Sequence, residues 1–141
     1  MKKLSSCDIL NYIYKITSII VLRTETVNKI VKYNKLNVLL NDEIKEYNEI
    51  IKESKELLKK CKGIREKVSL IDRISNSTYI KVSLKDNYSK LDKILIADFL
   101  DIVNEINKKL DAYNNIDAAK SLLNKLRKTV EKNMYELKKI I

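Results

Sequence analysis

The sequence predicts an all-α protein, an elongated antiparallel bundle of four or five helices with one long coiled-coil-like helix. The chain has 141 residues, no proline and a single glycine, Gly63. Proline and glycine end helices and form tight turns, so a sandwich or a doubly wound sheet needs many of them. Hydrophobic residues make up 45% of the chain and charged residues 34%, which is typical of long amphipathic helices. We expect one domain, residues 1–141.

The first helix is predicted to begin at Ser5 or Ser6, because a serine hydroxyl accepts a hydrogen bond from the first turn of a helix. Asp8 then lies in that first turn, where a negative charge is favourable. The apolar residues that follow recur at i, i+3, i+4 and i+7, the spacing of one helical face. We expect the helix to break at residues 23–26, with Thr24 or Thr26 capping the next helix.

Residues 27–74 form the longest periodic segment, with apolar residues in steps of three and four. Two alternatives stay open for this segment. It is one long bent helix of about 30 residues or more, or it breaks where Asn34, Asn37 and Asn41 cluster, with a new N-terminus at Asn41. Gly63 costs about 1 kcal/mol relative to alanine inside a helix, but the apolar period continues beyond it, which favours continuity.

The C-terminal half predicts a loop at residues 75–78 and, because residues 79–84 alternate with a period of two, an extended connector packed on the bundle. The helix that follows, over about 86–110, is apolar over more than half of its circumference and is predicted to be the most buried. Residues 114–115 predict the next break and residues 119–141 the last helix. The predicted core residues of the 86–110 helix are Leu95, Phe99, Ile102 and Ile106.

The formal net charge is +10, from 29 basic and 19 acidic residues, and the excess lies in residues 1–40 and 116–141. Such an excess indicates an anionic partner: nucleic acid, an acidic protein face or a membrane surface. Only four of the basic residues are arginines, while lysine, isoleucine, asparagine and tyrosine are abundant and have AT-rich codons. An AT-rich genome is therefore an alternative source of the charge.

Two groups of lysines are the candidates for nucleic-acid binding, and the second group shares one face of the last helix by its spacing. Arg127 is expected to lie off that face. The candidate lysines are Lys29, Lys32 and Lys35, and Lys125, Lys128 and Lys132.

Tyrosine is the usual anchor of protein interfaces, and four tyrosines are predicted to be exposed and to serve in this way. Three others fall on apolar stripes and are predicted to be core or helix-interface residues: Tyr12, Tyr33 and Tyr47. The predicted interface residues are Tyr14, Tyr79, Tyr88 and Tyr135.

The composition excludes most familiar catalysis, because the chain contains no histidine and too few glycines for a phosphate-binding loop. We expect no catalytic residue, no metal site and no cofactor. Asp98, Asp101 and Glu105 share a stripe, and a second acidic series includes Glu43; both are predicted to be solvated surface. Cys7 and Cys61 fall on apolar faces and are predicted to be free cysteines, although a disulfide is possible. We therefore predict no functional role for the two cysteines or for Asp98, Asp101 and Glu105.

The leading functional hypothesis is a non-enzymatic binding module, a small accessory protein of bacterial, phage or viral origin that acts by occupying a partner protein's surface, as inhibitors and immunity proteins do. The expected partner is a protein with an acidic face. The alternatives are a sequence-nonspecific nucleic-acid-binding helical protein and a structural coiled-coil subunit of a homo-oligomer. The sequence has no segment of 18 uncharged apolar residues, so we predict no membrane span. Reduced cysteines favour a cytoplasmic location, in the host cell if the protein is viral.

Overall fold

A computed structural model describes residues 4–61 and 90–141, and about 85% of these residues are helical, with no strand among them. The predicted all-α class is confirmed for this part of the chain. The loop at 75–78, the connector at 79–84 and Gly63 lie outside the described residues. The helices are α1 (Ser6–Ile30), α2 (Asn34–Leu58), a π-helical segment (Lys93–Ala97) that leads into α3 (Asp98–Ala112), and α4 (Ala118–Lys138).

Helix α1 begins as predicted, with Ser5 as its N-cap. The Ser5 hydroxyl accepts from the Asp8 backbone N–H at 3.1 Å, and the Asp8 carboxylate accepts from the Ser5 N–H at 2.9 Å. This capping box satisfies two donors that the first turn leaves free.

The predicted break at residues 23–26 is wrong, because α1 continues to Ile30. Thr24 and Thr26 do not cap a new helix. Their hydroxyls donate to the carbonyls of the residues four positions earlier, at 2.8 and 2.7 Å, so the polar groups that suggested a break are satisfied within the helix.

Helix α1 is the most buried helix of the described part, and it contacts both α2 and α4. Among its 25 residues, only Asp8, Glu25 and Lys29 are exposed. The prediction that the helix over 86–110 is the most buried is therefore wrong, because α3 has a solvent-facing side that α1 lacks. The contact between the first and last helices confirms that they are neighbours in the fold.

The turn between α1 and α2 is held by asparagine side chains. The Asn37 amide donates to the backbone and side-chain oxygens of Asn28, at 2.9 and 2.8 Å, and to the Val31 carbonyl at 3.1 Å. The Asn28 amide in turn donates to Asn41 at 2.8 Å. Because these bonds satisfy carbonyls at the end of α1, the Asn37 side chain holds the turn in place.

The alternative of two helices is closer to the structure than one long helix, but the new helix begins at Asn34 and Asn41 lies inside it. Helix α2 ends at Leu58, so neither α1 nor α2, each of 25 residues, reaches the predicted length. The long coiled-coil-like helix is not confirmed. Tyr33, predicted to be core, precedes α2 and is 48% exposed, because the turn places it outside the helical period.

A disulfide joins Cys7 to Cys61, with the two Cα atoms 5.9 Å apart. The prediction of free cysteines is wrong, since the antiparallel return of α2 brings the start of α1 beside the residues that follow α2. The α1–α2 hairpin is thus fastened at both ends, by asparagines at the turn and by the disulfide at the other end.

The predicted core residues of the π-helical segment and α3 are confirmed. Leu95 and Ile106 are fully buried, and Phe99 and Ile102 are 2% and 7% exposed. The π-helical segment places three consecutive apolar residues, 94–96, in the core, because its wider turn changes the angle between successive side chains.

The break between α3 and α4 falls at residues 113–117, as the asparagines predict. Tyr113 is 2% exposed, and its hydroxyl donates to Asp117, whose carboxylate also accepts from the Lys120 N–H at 3.0 Å as the N-cap of α4. The hydrogen bond from Tyr113 lowers the pKa of the Asp117 carboxyl. The loop and the start of α4 are therefore held by one carboxylate.

Helices α2 and α4 run antiparallel in a register set by two ion pairs. Lys125 pairs with Glu53 and Lys132 with Glu46, so a step of seven residues forward on α4 matches seven residues back on α2. None of the helices in the described ranges is both long and apolar enough to cross a membrane.

Replacing both cysteines by serine is expected to lower the free energy of unfolding by about 4 kcal/mol, because the disulfide closes a loop of 54 residues in the unfolded chain. Urea denaturation with and without a reducing agent measures the effect. The Cys7→Ser single variant is the control and should equal the double variant. Equal stability of the oxidised and reduced wild type contradicts the disulfide.

Candidate anion-binding groove

The polar face of α4 borders a groove of about 620 Å³. The opposite face of the helix faces the core through residues such as Leu123, Leu126 and Val130, which are fully buried. Because α4 is fixed by this apolar stripe, its polar side chains are held at one surface. The described residues that line the groove are Ser121, Asn124, Lys125, Arg127, Lys128, Thr129 and Lys132.

The structure brings the three predicted lysines of the last helix together, since Lys125, Lys128 and Lys132 all line this groove. Arg127, expected to lie off their face, lines it as well. A long side chain covers surface beyond its own helical position, so the spacing alone excluded Arg127 wrongly. The groove therefore holds four cationic side chains within eight consecutive residues.

Two of these cations are partly neutralised by carboxylates of α2. The Lys125 Nζ lies 2.6 Å from Glu53 Oε1, and the Lys132 Nζ lies 2.6 Å from Glu46 Oε2. Both pairs are about half exposed to solvent, so each contributes little stability. Their larger effect is on the charge of the groove. Positive and negative side chains alternate along the edge where α2 and α4 meet.

Arg127 and Lys128 supply the remaining positive charge. Neither has a carboxylate partner within the part of the chain that the structure describes. The Arg127 Nε is buried and has no hydrogen-bond partner there. A buried donor without a partner is unfavourable, so the guanidinium of Arg127, which lines the groove, is not fully satisfied by the described residues.

The other candidate lysines lie elsewhere. Lys29, Lys32 and Lys35 are all exposed, at the end of α1, in the turn and in the first turn of α2. This is the end of the hairpin opposite the disulfide, and none of the three lines the α4 groove. They form a second basic region, which we call the turn lysines.

Two of the predicted interface tyrosines, Tyr14 and Tyr135, lie within the described residues. Tyr14 is half-buried against the core with the Lys55 ammonium 5.8 Å from its ring centre, so its predicted exposure is wrong. Tyr135 is 63% exposed, as predicted, and the Lys139 ammonium lies 4.4 Å from its ring. Tyr79 and Tyr88 lie outside the described residues. Of the two described members Tyr135 stays an interface candidate, and Tyr79 and Tyr88 stay predictions.

The acidic stripe of α3 is not a metal centre in the described ranges, where no group of three carboxylates, cysteines or histidines could hold an ion. Asp98 lies 3.5 Å from the Arg23 guanidinium, and Asp101 and Glu105 are exposed. Asp98 therefore joins α3 to α1 by an ion pair of moderate exposure.

The prediction that Glu43 lies on the solvated surface is wrong, because it is 2% exposed. The buried stripe of α2 runs through it in steps of three and four, from Leu40 through Glu43 to Tyr47 and Ile50. A carboxylate thus occupies a core position of α2. The helical period itself was the signal that could have found it.

Burial is the main reason that the pKa of Glu43 is raised, to about 8. The neighbouring carboxylate of Glu46 and that of Glu136 raise it further, and the ammonium of Lys132 opposes them. Glu43 Oε1 has no hydrogen-bond partner among the described residues. At neutral pH this carboxyl is mainly protonated and uncharged.

Two further buried polar side chains lie beside Glu43. Tyr47 is 1% and Asn133 2% exposed, and the antiparallel register places Asn133 opposite the interval between Glu43 and Tyr47. The Tyr47 hydroxyl is close enough to the Asn133 amide for the two groups to interact electrostatically. Neither this hydroxyl nor Asn133 Nδ2 has a partner with hydrogen-bond geometry among the described residues. We call Glu43, Tyr47 and Asn133 the seam cluster.

Comparisons with protein-family models, with curated proteins and with solved structures find no match to this chain.

Glu43→Gln is expected to stabilise the protein at neutral pH and above. The folded pKa of about 8 lies above that of the unfolded chain, near 4.5, so the unfolded state loses its proton first. Wild-type stability relative to the variant then falls as pH rises from about 5 to 8, by at most about 1.4 kcal/mol per pH unit, and is constant above that range.

Urea denaturation of both proteins from pH 4 to pH 9 measures this difference, and Glu49→Gln, at an exposed carboxylate of the same helix, is the control. A constant difference between wild type and Glu43→Gln over this range contradicts a buried, protonated Glu43.

Proposed function

We propose that this chain is a non-enzymatic binding module that holds an acidic segment of a partner protein in the α4 groove. The observation that carries the proposal is the group of four cations in one groove, of which Arg127 and Lys128 have no carboxylate partner among the described residues. Carboxylate side chains of a partner supply the missing charge, and Arg127 presents a donor suited to a carboxylate. The mode of action is occupation of the partner's surface.

The mixed charge of the groove favours a protein segment over nucleic acid. Glu46 and Glu53 lie at its rim beside Lys132 and Lys125, where they repel a continuous chain of phosphates. No aromatic side chain is among the described residues that line the groove, so unpaired bases have no stacking surface there. A short acidic peptide needs only a few matching charges and fits this pattern better.

Nucleic-acid binding is the second candidate, because the turn lysines add a separate exposed basic region to the groove cations. A structural coiled-coil subunit has less support. The apolar stripes that suggested it are buried within the one chain, as Ile13, Leu40 and Leu126 show with no exposed surface.

The proposal of a non-enzymatic role follows from the available side chains. The sequence has no histidine, and the disulfide removes Cys7 as a thiolate nucleophile. A cytoplasmic location stays a prediction. The disulfide disfavours it, because disulfides persist mainly in oxidising compartments. The bacterial, phage or viral origin also stays a prediction.

Lys128→Glu is expected to weaken binding of a ten-residue polyglutamate peptide by about tenfold, because it reverses a groove charge that no described carboxylate compensates. Fluorescence anisotropy at two salt concentrations measures the affinity, with a single-stranded oligonucleotide titrated in parallel. Lys108→Glu, the same change at an exposed lysine of α3, is the control and should alter affinity less than about twofold.

Equal losses in the two variants would show that only the net charge of the protein matters. Oligonucleotide binding that is tighter than peptide binding and weakened by Lys128→Glu would favour the nucleic-acid alternative over an acidic protein.

A further inference from the structure

The seam cluster lies directly behind the groove. Glu43 is on the face of α2 that α4 covers, and Asn133, its neighbour across the seam, follows Lys132 in the sequence. Three buried polar atoms meet there without hydrogen-bond partners among the described residues: Glu43 Oε1, the Tyr47 hydroxyl and Asn133 Nδ2. Three unsatisfied polar atoms in one buried cluster lower the stability of the fold. Packing alone therefore does not explain the cluster.

Lys132 connects the cluster to the groove. Its side chain lines the groove, its ammonium is 2.6 Å from Glu46, and the same ammonium attracts the carboxylate form of Glu43. One cation is therefore shared between two carboxyl groups of α2 and any anion that enters the groove.

We infer that a proton on Glu43 controls the anion affinity of the α4 groove, so that the protein holds its acidic partner while Glu43 is neutral and releases it when Glu43 becomes charged. This inference rests on the proposed function, since it concerns regulation of the same groove.

The physical basis is competition for Lys132. A charged Glu43 adds a second negative charge close to Lys132 in a poorly solvated seam, where electrostatic interactions are stronger than in water. Lys132 then offers less positive potential to a ligand. By linkage, an anionic ligand that occupies Lys132 makes loss of the proton from Glu43 harder, so binding takes up protons in the range where Glu43 titrates.

The groups that face Glu43 define the pH range. On α2 these are Glu46 and Tyr47, and on α4 they are Lys132, Asn133 and Glu136. Burial and the two carboxylates outweigh Lys132, which places the pKa of Glu43 near 8. The sequence has no histidine and both cysteines form the disulfide, so the side chains that usually titrate between pH 6 and 8 are absent.

The test measures binding of the ten-residue polyglutamate peptide at pH 6.5 and pH 9, at constant ionic strength. The affinity of the wild type should fall by about tenfold between these values, whereas that of Glu43→Gln should change by less than about twofold. Glu49→Gln is the matched control: it removes an exposed carboxylate of α2 that pairs with no groove lysine among the described residues, and it should keep the wild-type dependence on pH.

Calorimetry of the wild type at pH 8, in buffers of different ionisation enthalpy, gives a second readout that needs no variant. We expect uptake of a fraction of a proton on binding, and zero uptake overturns the inference. The same loss of affinity in wild type and Glu43→Gln also overturns it but leaves the proposed function intact. Absence of peptide binding at every pH overturns the proposed function, and this inference with it.

Discussion

The antiparallel register of α2 and α4 is the constraint on which the groove and the seam cluster both depend. Two ion pairs seven residues apart mark it, Lys125 with Glu53 and Lys132 with Glu46. Exposed pairs of this kind contribute little stability, so the apolar stripe of α4 supplies the attachment and the pairs select one alignment. That alignment places Asn133 against Glu43 and leaves Arg127 and Lys128 facing the groove.

Charge has two roles in this seam. At the exposed rim, lysine and glutamate pair and reduce the net charge of the groove. One layer deeper, Glu43 avoids the cost of a buried charge by keeping its proton, because desolvation favours the neutral acid. The fold is therefore more stable when Glu43 is neutral than when it is charged. The α1–α2 hairpin, fastened by Asn37 and the Cys7–Cys61 disulfide, holds α2 in place.

Local patterns in the sequence were sufficient for the helical class, the Ser5 cap, the core around Phe99 and the shared face of Lys125, Lys128 and Lys132. Features set by contacts between distant segments were not. The disulfide and the ion pairs to α2 depend on how the helices return on one another, which periodicity does not contain. Thr24 and Thr26 were mistaken for a break because their bonding to the preceding turn is invisible in sequence. Glu43 was missed because charge was given more weight than helical position.

The central claim is that an acidic segment binds along α4 and not at the turn lysines. Amide chemical shifts of isotope-labelled protein, followed by NMR during titration with the ten-residue polyglutamate peptide, test it most directly. The account predicts that saturable changes concentrate at residues 121–132, with smaller changes at Glu46 and Glu53 as their lysine partners are shared. Changes concentrated at residues 29–35, with those of α4 unaffected, would contradict it.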